Sequence, residues 1–363
     1  MIYLIDTIGN ETGMHLYDAA FCHVLQEHSQ EVTVLSNYDT DQQRAAFPNF
    51  YRGGGLTKIR NFATALWRVL ACRCRHAGTR NVYVYQSFGL RPHDMLFLML
   101  MAGHRRLVVI VHDIYEITDK GKTNRLRPLQ NFLYRHYIRR VICHNRAVQQ
   151  QLRDLGYTGQ LCYTPHFSYD FSKDIDMQQV QPEIISAIAS DKPNFLFFGQ
   201  VRHSKGITYL LEAIRILERE GFDGANIIIA GNDKGRLIEQ AGPLPGFVHT
   251  VLRFIDDNEL NYLFNHCQEA LLPYTEIFQS GVLEAVIYFR LHAMLSDIAF
   301  FHDFHQQYPS FCSTFAPNDA EALAQAIRQA CSSDSSILYY NDRDLEQYRQ
   351  DHDTTPLAQF LSC

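Results

Sequence analysis

The sequence predicts an α/β protein made of two doubly wound parallel-sheet units, and three observations carry that expectation. The first is alternation: apolar runs of strand length are separated by stretches of helical periodicity along the whole chain, as in parallel sheets covered by helices. The second is size, because 363 residues with 46% hydrophobic content exceed what a single core usually organises. The third is a break in the pattern between Phe167 and Pro193, a stretch rich in Asp, Gln and Ser that also contains Pro182, where a linker is expected.

Taken in order, the first half shows strand-like runs at 2–5, 31–35, 81–85, 107–111, 140–143 and 160–163, with helical sequence between them. The second half repeats the scheme at 194–198, 226–230, 248–254, 269–273, 292–295 and 312–315. After Lys205, the residues Ile207, Leu210, Leu211, Ile214 and Leu217 form a one-sided helical stripe that suits packing on a sheet. A short helix is expected within 182–189. From about Ile337 the chain becomes polar and helical and ends in the apolar Leu357, Phe360 and Leu361, a tail able to dock back onto the first domain. The expected organisation is therefore a domain over 1–166, a linker over 167–193, a domain over 194–336 and a tail over 337–363.

Composition narrows the function classes. No apolar run approaches the roughly 20 residues a bilayer-spanning helix needs. The opening Met1-Ile-Tyr-Leu-Ile-Asp6 lacks a basic segment and reads as a first strand, not a secretion signal. Nine cysteines without a C-x-x-C pair argue against a disulfide framework or a zinc knuckle and fit a reducing cytoplasm. The net charge of −6 conceals an asymmetry: residues 1–165 carry 20 Lys+Arg against 12 Asp+Glu, and the remainder 13 against 27. Between Lys120 and Arg153 there are nine basic residues and no acid, interleaved with Leu129, Phe132 and Tyr137, and a second basic-aromatic helix runs from Lys58 past Trp67 to Arg75. Such faces suit either solvated core-packing helices or an anionic membrane surface at the cytoplasmic side. Nucleic acid is not expected as a partner, because the acidic second half would repel a long duplex.

Two strand ends carry chemistry. Gly199-Gln-Val-Arg-His-Ser-Lys-Gly206 follows a predicted strand and sets Arg202 and Lys205 just ahead of a helix, cations that suit a diphosphate or, more plainly, a solvated turn. In Leu271-Leu-Pro-Tyr-Thr-Glu-Ile-Phe-Gln-Ser-Gly-Val-Leu-Glu284, Ser280 is a plausible N-cap. The N–H groups of Gly281 and Val282 would then favour phosphate. Glu276 and Glu284 flank that position, and a carboxylate accepts sugar hydroxyls well. Glu284 near a helix N-terminus is also stabilised by the helix dipole alone.

These motifs, with Ile227-Ile-Ile-Ala-Gly231 and Arg253-Phe-Ile-Asp-Asp-Asn-Glu-Leu260, resemble the donor-binding domain of the retaining family-4 glycosyltransferases of GT-B fold, over about Asn194 to Ile298. The first half is similar to the same family's acceptor domain through Val109-Ile-Val-His-Asp113, Val141-Ile-Cys-His-Asn145 and Tyr163-Thr-Pro-His166. The resemblance implies two Rossmann-like domains facing a cleft. It implies that Arg202 and Lys205 neutralise the donor diphosphate, that Glu284 holds the ribose, and that Glu276 binds the transferred sugar. Backbone N–H groups from Gln279 through Ser280 and Gly281 to Val282 would contact sugar and phosphates. Gly13 would permit close approach to the donor, His112 would sit near the reacting sugar, and Asp113 is the candidate base.

Gln200 stands where many members carry an Arg, so Arg202 serves in its place. No Asp-x-Asp falls at a strand end, so neither a metal nor another cofactor is expected. The implied activity is transfer of a sugar from a nucleoside diphosphate, with retention, to a saccharide or lipid-linked saccharide in bacterial surface polysaccharide or glycolipid synthesis. The alternatives are a sugar-nucleotide epimerase of the same fold and an inactive sugar-nucleotide or polysaccharide-binding subunit. A nicotinamide dehydrogenase is disfavoured because Gly9-Asn-Glu-Thr-Gly13 lacks the G-x-G-x-x-G spacing.

Overall fold

The computed structural model describes residues 1–9, 14–39, 44–76, 80–101, 106–114, 126–171, 174–188, 191–277, 280–332 and 340–362. The first half runs β1 (Ile2–Ile5), α1 (Met14–Glu27), β2 (Val32–Leu35), α2 (Gly55–Arg75), β3 (Val82–Phe88), α3 (Pro92–Leu100), β4 (Leu107–Asp113), α4 (Arg127–His136), β5 (Arg140–Cys143), α5 (Arg146–Asp154) and β6 (Gln160–Tyr163). The second half runs α6 (Pro182–Ala187), β7 (Asn194–Phe198), α7 (Ile207–Arg219), β8 (Asn226–Ala230), α8 (Leu237–Ala241), β9 (Val248–Val251), α9 (Asp257–His266), β10 (Glu269–Leu272), α10 (Gly281–Tyr288), β11 (His292–Ser296), α11 (Ala299–Gln307), β12 (Cys312–Phe315), α12 (Ala320–Ser332), α13 (Asp342–Asp351) and α14 (Thr355–Ser362). No helix among the described residues is long and apolar enough to cross a membrane.

The chain divides into two units, Met1–Tyr169 with His352–Cys363 and Asp170–Asp351. Each holds one six-stranded sheet in which all pairings are parallel, ordered β2-β1-β3-β4-β5-β6 in the first and β12-β11-β10-β7-β8-β9 in the second. In both orders the sequence of strands reverses direction once, between β1 and β3 and between β7 and β10. Loops at the carboxyl ends of those strands part to either side and leave a crevice, where ligands of open α/β sheets bind.

Local chemistry accounts for the element boundaries. Pro92, Pro128 and Pro182 occupy first helical turns, where the missing N–H is no loss. Asn145, Asp256 and Ser280 cap α5, α9 and α10 through side-chain oxygens that accept from Ala147, Glu259 and Leu283 N–H groups. The stripe Ile207, Leu210, Ile214 and Leu217 is wholly buried against Phe195, Phe197, Ile227 and Ile229, with Leu323 and Ile327 of α12 closing the same core. Strand β9 ends at Val251, three residues before the sequence suggests. Arg253 leaves the ladder to form a bidentate pair with Glu259 (2.6 and 2.7 Å) and a further contact with Glu183 (2.6 Å) that ties down α6.

The stretch expected as a linker is packed, not free. Phe167 and Tyr169 are buried in the first unit, and Phe171, Val180 and Ile184 in the second, so the chain passes between units at Tyr169 and Asp170. Its polar composition concealed that five of its large apolar residues are buried. The C-terminal residues divide likewise: α13 belongs to the second unit and α14 to the first. There Gln30 donates to the Ala358 carbonyl (2.8 Å), and Arg140 lies 4.5 Å over the Phe360 ring.

Gly206 fixes the approach of two loops. Its φ is 72°, and a β-carbon added there would lie 1.7 Å from the Pro273 carbonyl oxygen. Gly221 has nearly the same φ, 70°, but open space around it. Gly221→Ala should therefore cost about 1 kcal/mol of backbone strain alone, and Gly206→Ala about 3 kcal/mol or more because a backbone must also move. Urea unfolding of the two variants checks the contrast; equal losses would show that the loops do not touch as described.

Candidate active site

The switch point of the second sheet is built from backbone that only glycine tolerates. At the end of β7, Gly199 donates to the Ala230 carbonyl (2.9 Å), and Val201 donates to that of Asn232 (3.1 Å). A β-carbon on Gly231 would come within 1.7 Å of the Gly199 oxygen. The chain then extends through Arg202, makes a single 3-10 turn over His203–Lys205, and enters α7 through the left-handed Gly206. Across from it, Thr275 donates to the Ser204 carbonyl (3.1 Å), so the loop after β10 is pinned to this turn.

Pinning gathers the cations around one aromatic ring. Tyr274 is buried, its carbonyl accepts from Ser296, and the Lys205 ammonium sits 3.8 Å over its ring centroid. The Tyr274 hydroxyl and the Arg202 Nε are both buried atoms that make no hydrogen bond of normal geometry among the described residues. Burial pushes the Tyr274 hydroxyl above its usual range, with neighbouring Ser280 and Arg202 pulling the other way. Ser280 is buried, its Oγ accepts from Leu283 N–H (3.2 Å), and the N–H groups of Gly281 and Val282 have no partner among the described residues. Two orphaned donors, an ammonium and a helix N-terminus thus converge, and an anion would satisfy them all.

The two glutamates have different environments. Glu276 is exposed. Glu284 is buried on α10, and its Oε2 accepts from the Tyr348 hydroxyl of α13 at 2.7 Å. Burial pushes the Glu284 carboxyl up to about 8, against the pull of that hydrogen bond. Sequence reasoning missed Tyr348, which lies 64 residues away with no local signal. Gln279 and Gly13, both expected at the site, lie outside the described residues.

At the switch point of the first sheet the structure assembles a network that the sequence did not suggest. Asp6, at the end of β1, accepts from the N–H groups of Ile8 (2.9 Å) and Gly9 (2.8 Å), fixing the start of the β1–α1 loop. Beside it Asp18 accepts from Tyr38 (2.6 Å) and from the Gln86 amide. Both carboxyls are fully buried; burial pushes each above the usual range, and for Asp18 the neighbouring Asp6 adds to the effect. Because the Gln86 amide nitrogen is spent on Asp18, its oxygen accepts from His112 Nε2 (3.1 Å). His112 is buried, stacks on Phe88 at 4.4 Å and meets the edge of Tyr17 at 4.9 Å. Asp113, the last residue of β4, is half-buried.

The neighbouring His144 donates from Nδ1 to the Thr164 carbonyl (2.9 Å) and accepts from Tyr17 (2.7 Å). Burial pulls His144 down to about 4 and His166 down to about 3, so both are neutral near pH 7. The three stretches that suggested an acceptor domain therefore meet at one sheet edge. Among the described residues no three His, Cys, Asp or Glu side chains converge as a metal site would require.

Two parallel six-stranded sheets of these strand orders are the architecture of the GT-B fold. Residues 182–347, a little under half of the chain, match the model of the family of glycosyl transferases group 1. Solved structures agree over nearly the whole chain. Sucrose-phosphate synthase from Thermosynechococcus elongatus superposes with a TM-score of 0.70 at 16% identity, covering 99% of this chain and 97% of that one. Anabaena HepE, in complex with UDP and glucose, gives 0.65 at 15% identity, with 99% and 98% covered. WaaG, a glycosyltransferase involved in lipopolysaccharide biosynthesis, gives 0.60 at 14%, with 100% and 98% covered. No curated protein matches the chain by sequence.

The Glu284 environment has a measurable consequence. An acid raised on folding binds more protons folded than unfolded between its two pKa values, so it lowers stability as pH rises through that window. Wild-type stability should therefore fall from about pH 5 to about pH 8 with a component approaching one proton per molecule, and Glu284→Gln, which keeps an acceptor for Tyr348, should remove that component. Urea unfolding at several pH values tests this; parallel pH profiles for wild type and variant would place Glu284 in a solvated environment instead.

Proposed function

We propose that the protein transfers a sugar from a nucleoside diphosphate donor to a hydroxyl of a saccharide or lipid-linked saccharide, with retention of anomeric configuration, in synthesis of bacterial surface polysaccharide or glycolipid. The observation that carries this reading is the convergence of Arg202, Lys205, the Tyr274 hydroxyl and the α10 N-terminus at the switch point between β7 and β10. Anabaena HepE, one of the similar structures, is a complex with UDP-glucose, which supports a nucleotide-sugar donor here. We place the work in the cytoplasm, at the inner face of the membrane.

The residues suit that chemistry. The bond from the anomeric carbon to the diphosphate lengthens while the sugar gains oxocarbenium character, so negative charge grows on the departing oxygens. Arg202 and Lys205 would hold those oxygens, and the preset N–H groups of Gly281 and Val282 need no reorganisation to join them. The acceptor oxygen bonds the anomeric carbon from the face the diphosphate leaves, and its proton passes to a departing phosphate oxygen. Cations and helix dipole do the neutralising, without a metal. Glu276 would take hydroxyls of the transferred sugar and Glu284 the ribose, while His112, held by Gln86 and Phe88, would offer a fixed ring to the sugar.

Replacing Arg202 or Lys205 by Ala should cost about 2 to 4 kcal/mol in the transition state while the fold survives. Donor turnover measured with UDP-, GDP- and ADP-sugars decides; unchanged turnover in both variants removes these residues from the reaction. The glutamates should separate differently. Glu276→Gln should lower turnover with little change in affinity for the bare nucleoside diphosphate, whereas Glu284→Gln should weaken that affinity too. Thermal shift with the free nucleotides reads the difference, and equal losses of nucleotide binding would show that the roles are not divided in this way.

A further inference from the structure

The first unit has one face unlike the rest of the molecule. Strands β2, β3, β4 and β5 follow one another across the sheet in one direction, past β1, so right-handed crossovers place α2, α3 and α4 on the same side. Contacts confirm the neighbourhood: Phe62 of α2 meets Phe97 of α3 at 5.8 Å, and Gln130 of α4 donates to the carbonyls of Gly89 and Leu90 just ahead of α3. Each helix buries one side on the sheet. Each also carries large apolar side chains on the opposite side.

On α2, Leu56 is 86% exposed and Trp67 66%. On α3, Leu96 and Met99 are exposed, and on α4 so is Phe132, with Tyr137 exposed at its C-cap. Eight of the fourteen exposed large apolar residues among the described residues belong to these three helices and this cap. The charge is as uneven. Lys58, Arg60, Arg68 and Arg75 of α2 are exposed, as are Arg127 and Arg135 of α4 and Arg139 beyond it. The sole acid on the three helices, Asp94, is buried and accepts from the Tyr85 hydroxyl and the Arg91 N–H.

We propose that this three-helix face docks the protein on an anionic lipid bilayer. Exposed apolar side chains set among cations without acids are what a headgroup boundary takes up: the rings and aliphatic chains enter the acyl edge while Lys and Arg reach phosphate. A second copy of this chain does not fit, because an isologous contact would set these cations against their own duplicates. A nucleic acid would engage the cations but leave Leu56, Ile59 and Met99 without a role. The docking rests on the peripheral location proposed above and is independent of whether the sugar reaction is assigned correctly.

The full chain should sediment with vesicles of mixed phosphatidylglycerol and phosphatidylcholine and bind pure phosphatidylcholine at least about tenfold more weakly, the difference shrinking as salt rises past physiological strength. Two pairs of surface changes separate the contributions. Arg60→Glu with Arg68→Glu should remove the preference for anionic lipid. Trp67→Ser with Met99→Ser should weaken binding to anionic vesicles about tenfold or more, whereas Arg219→Glu on α7 should change nothing. All variants should keep wild-type unfolding temperatures and the thermal shift given by nucleoside diphosphates. Protein that stays in the supernatant with anionic vesicles at low salt, or binding indifferent to both pairs, overturns the proposal. Capture by polyglutamate but not by anionic vesicles makes the partner an acidic protein and overturns it equally. Docking without any nucleotide shift would retain this surface and reject the donor site, so the two readings fail separately.

Discussion

The second unit turns on the approach of three backbones at the carboxyl edge of its sheet. Gly231 lies against the Gly199 carbonyl and Gly206 against that of Pro273, at separations that leave no room for a β-carbon. From this contact the rest follows in order. The turn over His203–Lys205 is held to the loop after β10 by the Thr275 hydrogen bond, Lys205 is held over Tyr274, and the Arg202 Nε is left buried without a partner among the described residues. An orphaned buried donor costs free energy, commonly about 1 to 3 kcal/mol, so the fold carries a local strain in solvation that an incoming anion would relieve. The site is prepared by what the backbone prevents as much as by what the side chains supply.

The first unit solves the opposite problem. Its switch point holds Asp6 and Asp18 in full burial, and there burial raises both carboxyls. Two adjacent buried acids cannot both ionise cheaply, and the Ile8 and Gly9 N–H groups, Tyr38 and Gln86 supply the hydrogen bonds their oxygens accept. His112, His144 and His166 lie beyond, two of them held neutral by burial. One sheet edge is thus cationic with buried donors to spare, the other built of buried acids and histidines held by hydrogen bonds within the unit. The net charges of the two halves point the other way, because the cationic edge belongs to the half with 27 acids against 13 bases. Local placement outweighs totals: most of those acids are exposed on helices and loops, where water screens them.

What was legible in the sequence was what is local. Ile207 to Leu217 announced a helix on a sheet, Ser280 its cap, and Gly199 to Gly206 a turn with two cations, since each signal fits within about a dozen residues. The function of Tyr274 beneath Lys205 was not legible, because only the fold shows that the two loops touch. The same holds for Tyr348 with Glu284 and for Gln86 between Asp18 and His112, contacts across 64, 68 and 26 residues. The outward apolar side of α2 was half legible: its basic and aromatic residues were visible, but an amphipathic pattern does not say which side faces the sheet. Leu96 and Met99 gave no signal, for α3 reads as an ordinary apolar helix until its exposure is known.

The C-terminal residues join these themes. Tyr348 gives Glu284 its hydrogen bond from α13, set edge-on to Tyr308 and tilted against Phe311, while α14, a few residues later, packs in the first unit under Arg140 and Gln30. A chain that ended before α13 would take the Tyr348 hydroxyl away from Glu284, and one that ended before α14 would uncover Arg140, which is buried and lies on the Phe360 ring. The sequence of this region reads as a tail able to dock back onto the first domain; α13 instead completes the surroundings of one residue proposed for nucleotide binding, and α14 packs beside β5 and β6. The final helices are therefore parts of both cores, and the division of the chain into two units is discontinuous for that reason.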